Sequence, residues 1–284
     1  MIVNCKEIRD KHIEKLKERD LSECKAVFIQ VGDNQASNVY VRNKLRLCEE
    51  LNIQASHIKL DEDISEKNLV DLITMFNKNK CISGIMVQLP LPSHINEENI
   101  INAIDWKKDI DGFTNVNKGK LMVGDNSAIT ACTPSGIMLV IEEQGIDLNG
   151  KNVVIVGRSN IVGKPLAQLM INSGATVTVC NSKTDKEVLL NHIANSDIFV
   201  SAIGRANYFN EDFCKFILNK NLKKCFAIDV GINRDEDGKL CGDISKDMYD
   251  YFGMATPSPG GIGLLTVAEV IRNLVKCYDL SLNN

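Results

Sequence analysis

Four side chains in the first half of the chain have types and settings that suit proton transfer or the gripping of a flat ring: Tyr40, Lys44, Gln88 and Asp111. Tyr40 and Lys44 lie four residues apart, so a helix starting at Ser37 puts them on one face. An aromatic ring beside an amine can hold a planar substrate under an acid/base group. A lysine ordinarily titrates near about 10.4 and becomes a usable base only where burial or a neighbouring cation favours its neutral form. Without further context such a pair is more often a solvated lysine next to a half-buried tyrosine. Gln88 ends the apolar run Gly84-Ile85-Met86-Val87-Gln88-Leu89, ahead of Pro90 and Pro92. Open α/β sheets bind ligands at such strand ends, although a glutamine there also serves simply to bond a neighbouring loop. Asp111 stands in Lys108-Asp109-Ile110-Asp111-Gly112-Phe113. Asp-Gly marks a turn, and a carboxyl held there could pair with the N–H edge of a heterocycle.

A second group follows Val153-Val154-Ile155-Val156. The run Gly157-Arg158-Ser159-Asn160-Ile161-Val162-Gly163-Lys164-Pro165 reads as a strand entering a glycine turn and then a helix. Backbone N–H groups at such a turn attract phosphate. Ser159 occupies the middle glycine position of the dinucleotide fingerprint, so spacing alone leaves a dinucleotide site and a plain strand–helix turn both open. The end of the next strand reads Cys180-Asn181-Ser182-Lys183, without the carboxylate that bonds a ribose diol. Arg158 in the turn suits a ribose phosphate through its forked donors, and the expectation is NADP rather than NAD. The alternative is a surface ion pair at Arg158.

The elements that must position these groups alternate in type. Apolar spacing predicts a helix over residues 5–19 with Ile8, Ile13 and Leu16 inward, a strand over 26–31, a helix over 37–51, and a weaker strand over 53–60 interrupted at Ser56 and His57. A helix over 68–77 and the strand 84–89 follow. Thr133 and Pro134 suit a helix start, and Gly145 its end. Strands are expected at 153–156, 177–179, 198–200 and 226–230. Thr266-Val267-Ala268-Glu269 fits a capping box before a terminal apolar stripe that could return to the first domain. The pattern implies two α/β units with parallel sheets.

Composition narrows the function classes. The chain has 284 residues, 44% hydrophobic and 25% charged, in the range of ordinary globular domains. A formal net charge of −4 argues against nucleic-acid binding as the main activity. No apolar run approaches a membrane span, and the start shows no secretory pattern, so a cytoplasmic location without membrane attachment is expected. Ten cysteines and four histidines are scattered without Cys-x-x-Cys or His-Glu-x-x-His spacing, which predicts reduced thiols and no metal.

Taken together, the motifs resemble the bifunctional methylenetetrahydrofolate dehydrogenase/methenyltetrahydrofolate cyclohydrolase family over nearly the whole chain. The resemblance is carried by Val31-Gly32-Asp33-Asn34 with Ser37, Tyr40 and Lys44, by Gln88-Leu89-Pro90-Leu91-Pro92, Asp109-Ile110-Asp111-Gly112-Phe113 and Cys132-Thr133-Pro134. The run from Gly157 to Pro165, Asp229-Val230-Gly231-Ile232-Asn233 and Pro259-Gly260-Gly261-Ile262-Gly263 complete it. It implies NADP-dependent oxidation of 5,10-methylenetetrahydrofolate to the methenyl cation, then hydrolysis to 10-formyltetrahydrofolate, within one-carbon metabolism and purine biosynthesis. A monofunctional dehydrogenase and a non-catalytic folate- or nucleotide-binding protein are the alternatives.

By the same resemblance Lys44 matches the essential lysine, Tyr40 the ring-stacking tyrosine, Gln88 the residue bonding that lysine, and Asp111 the one gripping the pterin. Pro259, Gly260 and Gly261 match a loop near the folate, and Gly157, Arg158, Ser159, Ser182 and Ile232 match cofactor contacts. It also implies an α/β fold of two domains with a cleft between them: a folate domain of residues 1–134 plus 265–284 and a Rossmann-like NADP domain of residues 135–264, in a homodimer. The chain departs from the family pattern at Leu264 and Ala131, where prolines are common, and a more mobile loop is expected around Leu264.

Overall fold

The computed structural model describes residues 1–282. In chain order the elements are α1 (Cys5–Lys17), β1 (Lys25–Val31), α2 (Gln35–Glu50), β2 (Gln54–Leu60), α3 (Glu66–Lys78), β3 (Gly84–Val87), α4 (Glu97–Ala103), α5 (Asn115–Met122) and α6 (Cys132–Glu143). They continue with β4 (Asn152–Val156), α7 (Gly163–Asn172), β5 (Thr176–Cys180), α8 (Lys186–Ala194), β6 (Ile198–Ser201), α9 (Glu211–Cys214), β7 (Phe226–Asp229), β8 (Asn233–Arg234), β9 (Leu240–Cys241), β10 (Met254–Thr256) and α10 (Ile262–Leu282). Among the described residues no helix is long and apolar enough to cross a membrane.

The chain forms two compact units. One comprises His12–Cys132 and the chain from Val267 on; the other comprises Met1–Lys11 and Thr133–Thr266. In the first, β1 is central in a parallel sheet of order β2-β1-β3. Its buried run Ala26–Val31, apolar but for Gln30, explains why: a strand covered on both faces is apolar over nearly its whole length. β2 is an edge strand, continuous through Ser56 and His57 rather than interrupted, because its outward side chains need no burial. α2 starts two residues earlier than its apolar pattern does, since Asn34 accepts the Ser37 N–H and caps it.

The second unit holds a five-stranded parallel sheet of order β10-β7-β6-β4-β5 and the short antiparallel pair β8-β9. The first eleven residues, expected with the folate domain, pack here. The Val3 N–H donates to the Ala255 carbonyl, and Val3, Cys5 and Ile8 join the core under β4. Ile13 and Leu16 of the same helix belong to the other unit's core. α10 starts at Ile262, so the expected capping box does not form. Thr266 sits inside the helix, its hydroxyl donating to the Ile262 carbonyl, and Glu269 is fully buried. The Leu264 N–H donates to the Gly261 carbonyl, a bond that proline cannot make; the chain gains a tie at the position expected to loosen it.

Candidate active site

The first site lies at the carboxyl end of β1 and β3. β1 leads to β2 on one side, and the chain later returns to β3 on the other, so the ends diverge there and leave a crevice. The Gln88 N–H extends the ladder by donating to the Ile29 carbonyl. Its side-chain Nε2 donates to the Leu89 carbonyl at 2.7 Å, which turns Oε1 toward α2. Lys44 Nζ donates to that oxygen at 2.9 Å and touches Met86 Sδ at 3.2 Å. Lys44 is only 4% exposed, an unusual state for an ammonium. Burial pushes its pKa below the ordinary lysine value, while the charges of Asp111 and Cys132 oppose the shift.

Asp111 responds in the opposite sense. Burial raises its carboxyl to about 7, with Lys44 pulling it down and Asp109 pushing it up. The carboxyl therefore exchanges its proton in the neutral range. Asp109, itself 1% exposed, builds the turn that carries it. Its carboxylate accepts the N–H groups of Gly112 (3.0 Å) and Thr114 (2.8 Å) and the Asn117 amide (3.0 Å). Gly112 has φ +71°, and a Cβ there would stand 2.5 Å from the Thr130 carbonyl carbon, so only glycine fits. Tyr40 shares α2 with Lys44, one turn away, and is 39% exposed beside it in sequence.

A cavity of about 370 Å³ in the second unit is lined by Gly157, Arg158, Ser159 and Ser182 among others. It again sits where strand order reverses, with β4 flanked by β5 and β6. Gly157 has φ +127°, and a Cβ there would lie 2.3 Å from the Ala202 carbonyl oxygen. That close approach leaves backbone at the mouth of the turn. Ser159 takes the place of the middle glycine by closing the turn: its hydroxyl accepts the N–H groups of Val162 and Gly163. The charged side chains lining the cavity are Arg158, Lys186 and Arg205, with no carboxylate among them. Lys186 Nζ stands 4.4 Å from the Phe213 ring centroid, and the Arg205 guanidinium stands 4.7 Å from that of Tyr208. These residues fit a phosphorylated dinucleotide by charge and shape.

The structure thus gathers Lys44, Gln88 and the Asp111 turn in one unit, and Gly157, Arg158, Ser159 and Ser182 in the other. Ile232 lies outside the cavity lining and is 49% exposed, near Gly263. Pro259, Gly260 and Gly261 belong to the dinucleotide unit rather than to that of Lys44. The Ser258 N–H just before them donates to Tyr249 Oη at 3.1 Å, and the Ser258 hydroxyl donates to the Gly231 carbonyl. Sequence reasoning missed Met86, Lys186, Arg205, Tyr208 and Phe213. Arg205, four residues past the end of β6, was within reach of the same strand-end rule that found Gln88; the aromatics come together only in the fold.

Residues 3–111 match the tetrahydrofolate dehydrogenase/cyclohydrolase catalytic domain, and residues 131–282 match the NAD(P)-binding domain of the same description. A bifunctional protein FolD of Streptococcus thermophilus is 45% identical over 274 residues, spanning 96% of this chain and 93% of that protein. The crystal structure of a bifunctional FolD methylenetetrahydrofolate dehydrogenase/cyclohydrolase from Campylobacter jejuni has 38% identity and a TM-score of 0.92, covering 99% of each chain. A Trypanosoma brucei enzyme complexed with NADP cofactor and inhibitor has 27% identity and a TM-score of 0.89, covering 100% of this chain and 99% of that one. The chain therefore belongs to the tetrahydrofolate dehydrogenase/cyclohydrolase family.

Proposed function

We infer that the chain oxidises 5,10-methylenetetrahydrofolate to the 5,10-methenyl cation with NADP⁺, and then hydrolyses that cation to 10-formyltetrahydrofolate. The observation that carries this reading is the buried Lys44 amine, bonded to a Gln88 amide whose orientation is set by the Leu89 carbonyl. A lysine kept from its full charge by burial can take a proton from water as that water adds to the methenyl carbon. Opening of the ring then returns a proton to the departing nitrogen. Gln88 aims the amine, Tyr40 stacks on the pterin, and Asp111 bonds its N–H edge.

Gly157, Arg158, Ser159, Ser182 and Ile232 would hold NADP, and Pro259, Gly260 and Gly261 would border the folate. Bound NADP⁺ supplies the hydride acceptor. For that step the protein's task is alignment, since hydride passes between two flat rings without a protein proton carrier. Three cations and no carboxylate at the cavity favour a ribose phosphate over a free diol. A cytoplasmic homodimer serving one-carbon metabolism and purine synthesis is part of the same reading.

The test is a single kinetic trace. Methylenetetrahydrofolate is supplied with NADP⁺ or NAD⁺, and the methenyl absorbance is followed. A rise with NADP⁺ followed by decay faster than in buffer is expected. A rise without accelerated decay leaves only a dehydrogenase, and no rise with either cofactor removes the catalytic reading.

A further inference from the structure

The turn bearing Asp111 is shaped from within by Asp109, but its place against the rest of the unit is set elsewhere. Asn273 lies on α10 and is 2% exposed, in a stretch where Glu269, Val270, Ile271, Leu274 and Cys277 are also buried. An amide in such a stretch costs stability unless its hydrogen bonds are made. Its Nδ2 donates to the Thr130 carbonyl at 2.8 Å and to the Ile110 carbonyl at 3.0 Å, with Cys132 Sγ at 3.4 Å. Ile110 is the residue immediately before Asp111. Gly112, immediately after it, is pressed on the backbone of Thr130. Cys132 Sγ donates to the same Ile110 carbonyl at 3.3 Å.

α10 also shares its apolar core with α2. Val41, Leu47 and Cys48 share a core with Val270, Ile271 and Leu274. α10 therefore borders the core of the helix that carries Lys44 and bonds the turn that carries Asp111 through one amide. We propose that Asn273 is a positioning residue for the folate chemistry: by tying the Ile110 and Thr130 carbonyls to α10, it fixes the place of the turn that carries Asp111. This rests on the functional reading above, in which Lys44 is the base and Asp111 grips the pterin.

The charged and titratable groups acting on Lys44 are Asp111 and Cys132, and those acting on Cys132 include Glu269 and Asp109. Asp111 favours the protonated form of Lys44. Moving it away therefore lowers the pKa of the lysine further and extends its basic range toward acid.

The test uses the full chain with Asn273→Leu, which keeps the branched four-atom side chain but no donors, and Asn273→Ser, which retains one donor. Methenyl hydrolysis in N273L is expected to fall by about 10- to 100-fold, the scale of a displaced catalytic group. KM for methylenetetrahydrofolate should rise, KM for NADP⁺ should stay, and the acid limb of the hydrolysis profile should move to lower pH, with N273S in between. An unmoved acid limb and folate KM in folded N273L overturns the proposal, as does a parallel loss of NADP⁺ saturation and melting temperature. Should N273L not fold, N273S decides: a displaced limb supports the role and a wild-type limb overturns it. A wild-type protein without methenyl hydrolysis overturns the functional reading instead, whereas active wild type with unmoved variants overturns only the role of Asn273.

Discussion

The two units place their candidate sites at the same topological point and treat charge in opposite ways. Each has a first strand, β1 or β4, flanked by its sequence neighbour on one side and the following strand on the other. At β1 and β3 one amine is buried to 4% exposure, and burial moves both it and the Asp111 carboxyl toward neutrality. At β4 and β6 the cations Arg158, Lys186 and Arg205 are exposed around a glycine turn. Desolvation changes what a group does, because the charged form loses its water; exposure keeps a cation a cation and leaves it to attract anions. One arrangement suits proton transfer, the other suits holding a phosphate.

The largest effect that would break this contrast is at Lys44. Lys44→Met should lower methenyl hydrolysis by about 10³-fold while leaving part of the hydride transfer, since general base catalysis is of that order. Unchanged hydrolysis in stopped-flow decay would remove Lys44 from the role. On the other side, Gly157→Ala forces a Cβ against the Ala202 carbonyl oxygen at a positive φ. A loss of about 2–3 kcal/mol in stability or cofactor binding is expected from such strain, read by melting temperature and NADP⁺ titration.

Arg158→Gln should raise KM for NADP⁺ by about 10-fold or more and leave KM for NAD⁺ nearly unchanged, the worth of one charge-assisted bond. Equal changes for both cofactors would show that Arg158 does not read the phosphate. A pH-dependent effect sharpens the electrostatic half of the comparison. Asp111 binds its proton more tightly in the folded protein, with a pKa of about 7, so its contribution to stability is full below the ordinary carboxylate range and is lost as pH rises to about 7. Asp111→Asn should flatten the pH dependence of denaturant unfolding between those limits. An unaltered slope would mean that the carboxyl is not held by burial.

Much of the architecture was legible because periodicity reports burial. The apolar runs of β1, β4, β6 and β7 and the helical stripes of α1 and α3 were all visible. What escaped notice were short or weakly patterned pieces. α5, Asn-Val-Asn-Lys-Gly-Lys-Leu-Met, mixes poor helix formers and is started by Thr114 capping the Asn117 N–H. β10, only Met254–Thr256, has too few residues for any period and exists because β7 pairs with it. At the site, residue types and spacing pointed to Tyr40, Lys44, Gln88, Asp111 and the Gly157–Ser159 turn. The partners Met86 and Asn273 gave no signal, since each is far along the chain from the group it touches, and Asn117, near Asp109 in sequence, sits in the unpatterned α5.

By itself the sequence determined the alternation of elements, the turns that need glycine, and which side chains are capable of acid/base or phosphate chemistry. These depend on local sterics and on the chemical identity of each residue. Only the tertiary structure decided that Lys44 is sheltered from water while Arg158 is not, that Glu269 is buried rather than capping a helix, and that an amide on α10 ties down the Asp111 turn. The protonation state of an amine depends on how much solvent its neighbours exclude, and those neighbours are brought together from distant parts of the chain only by folding.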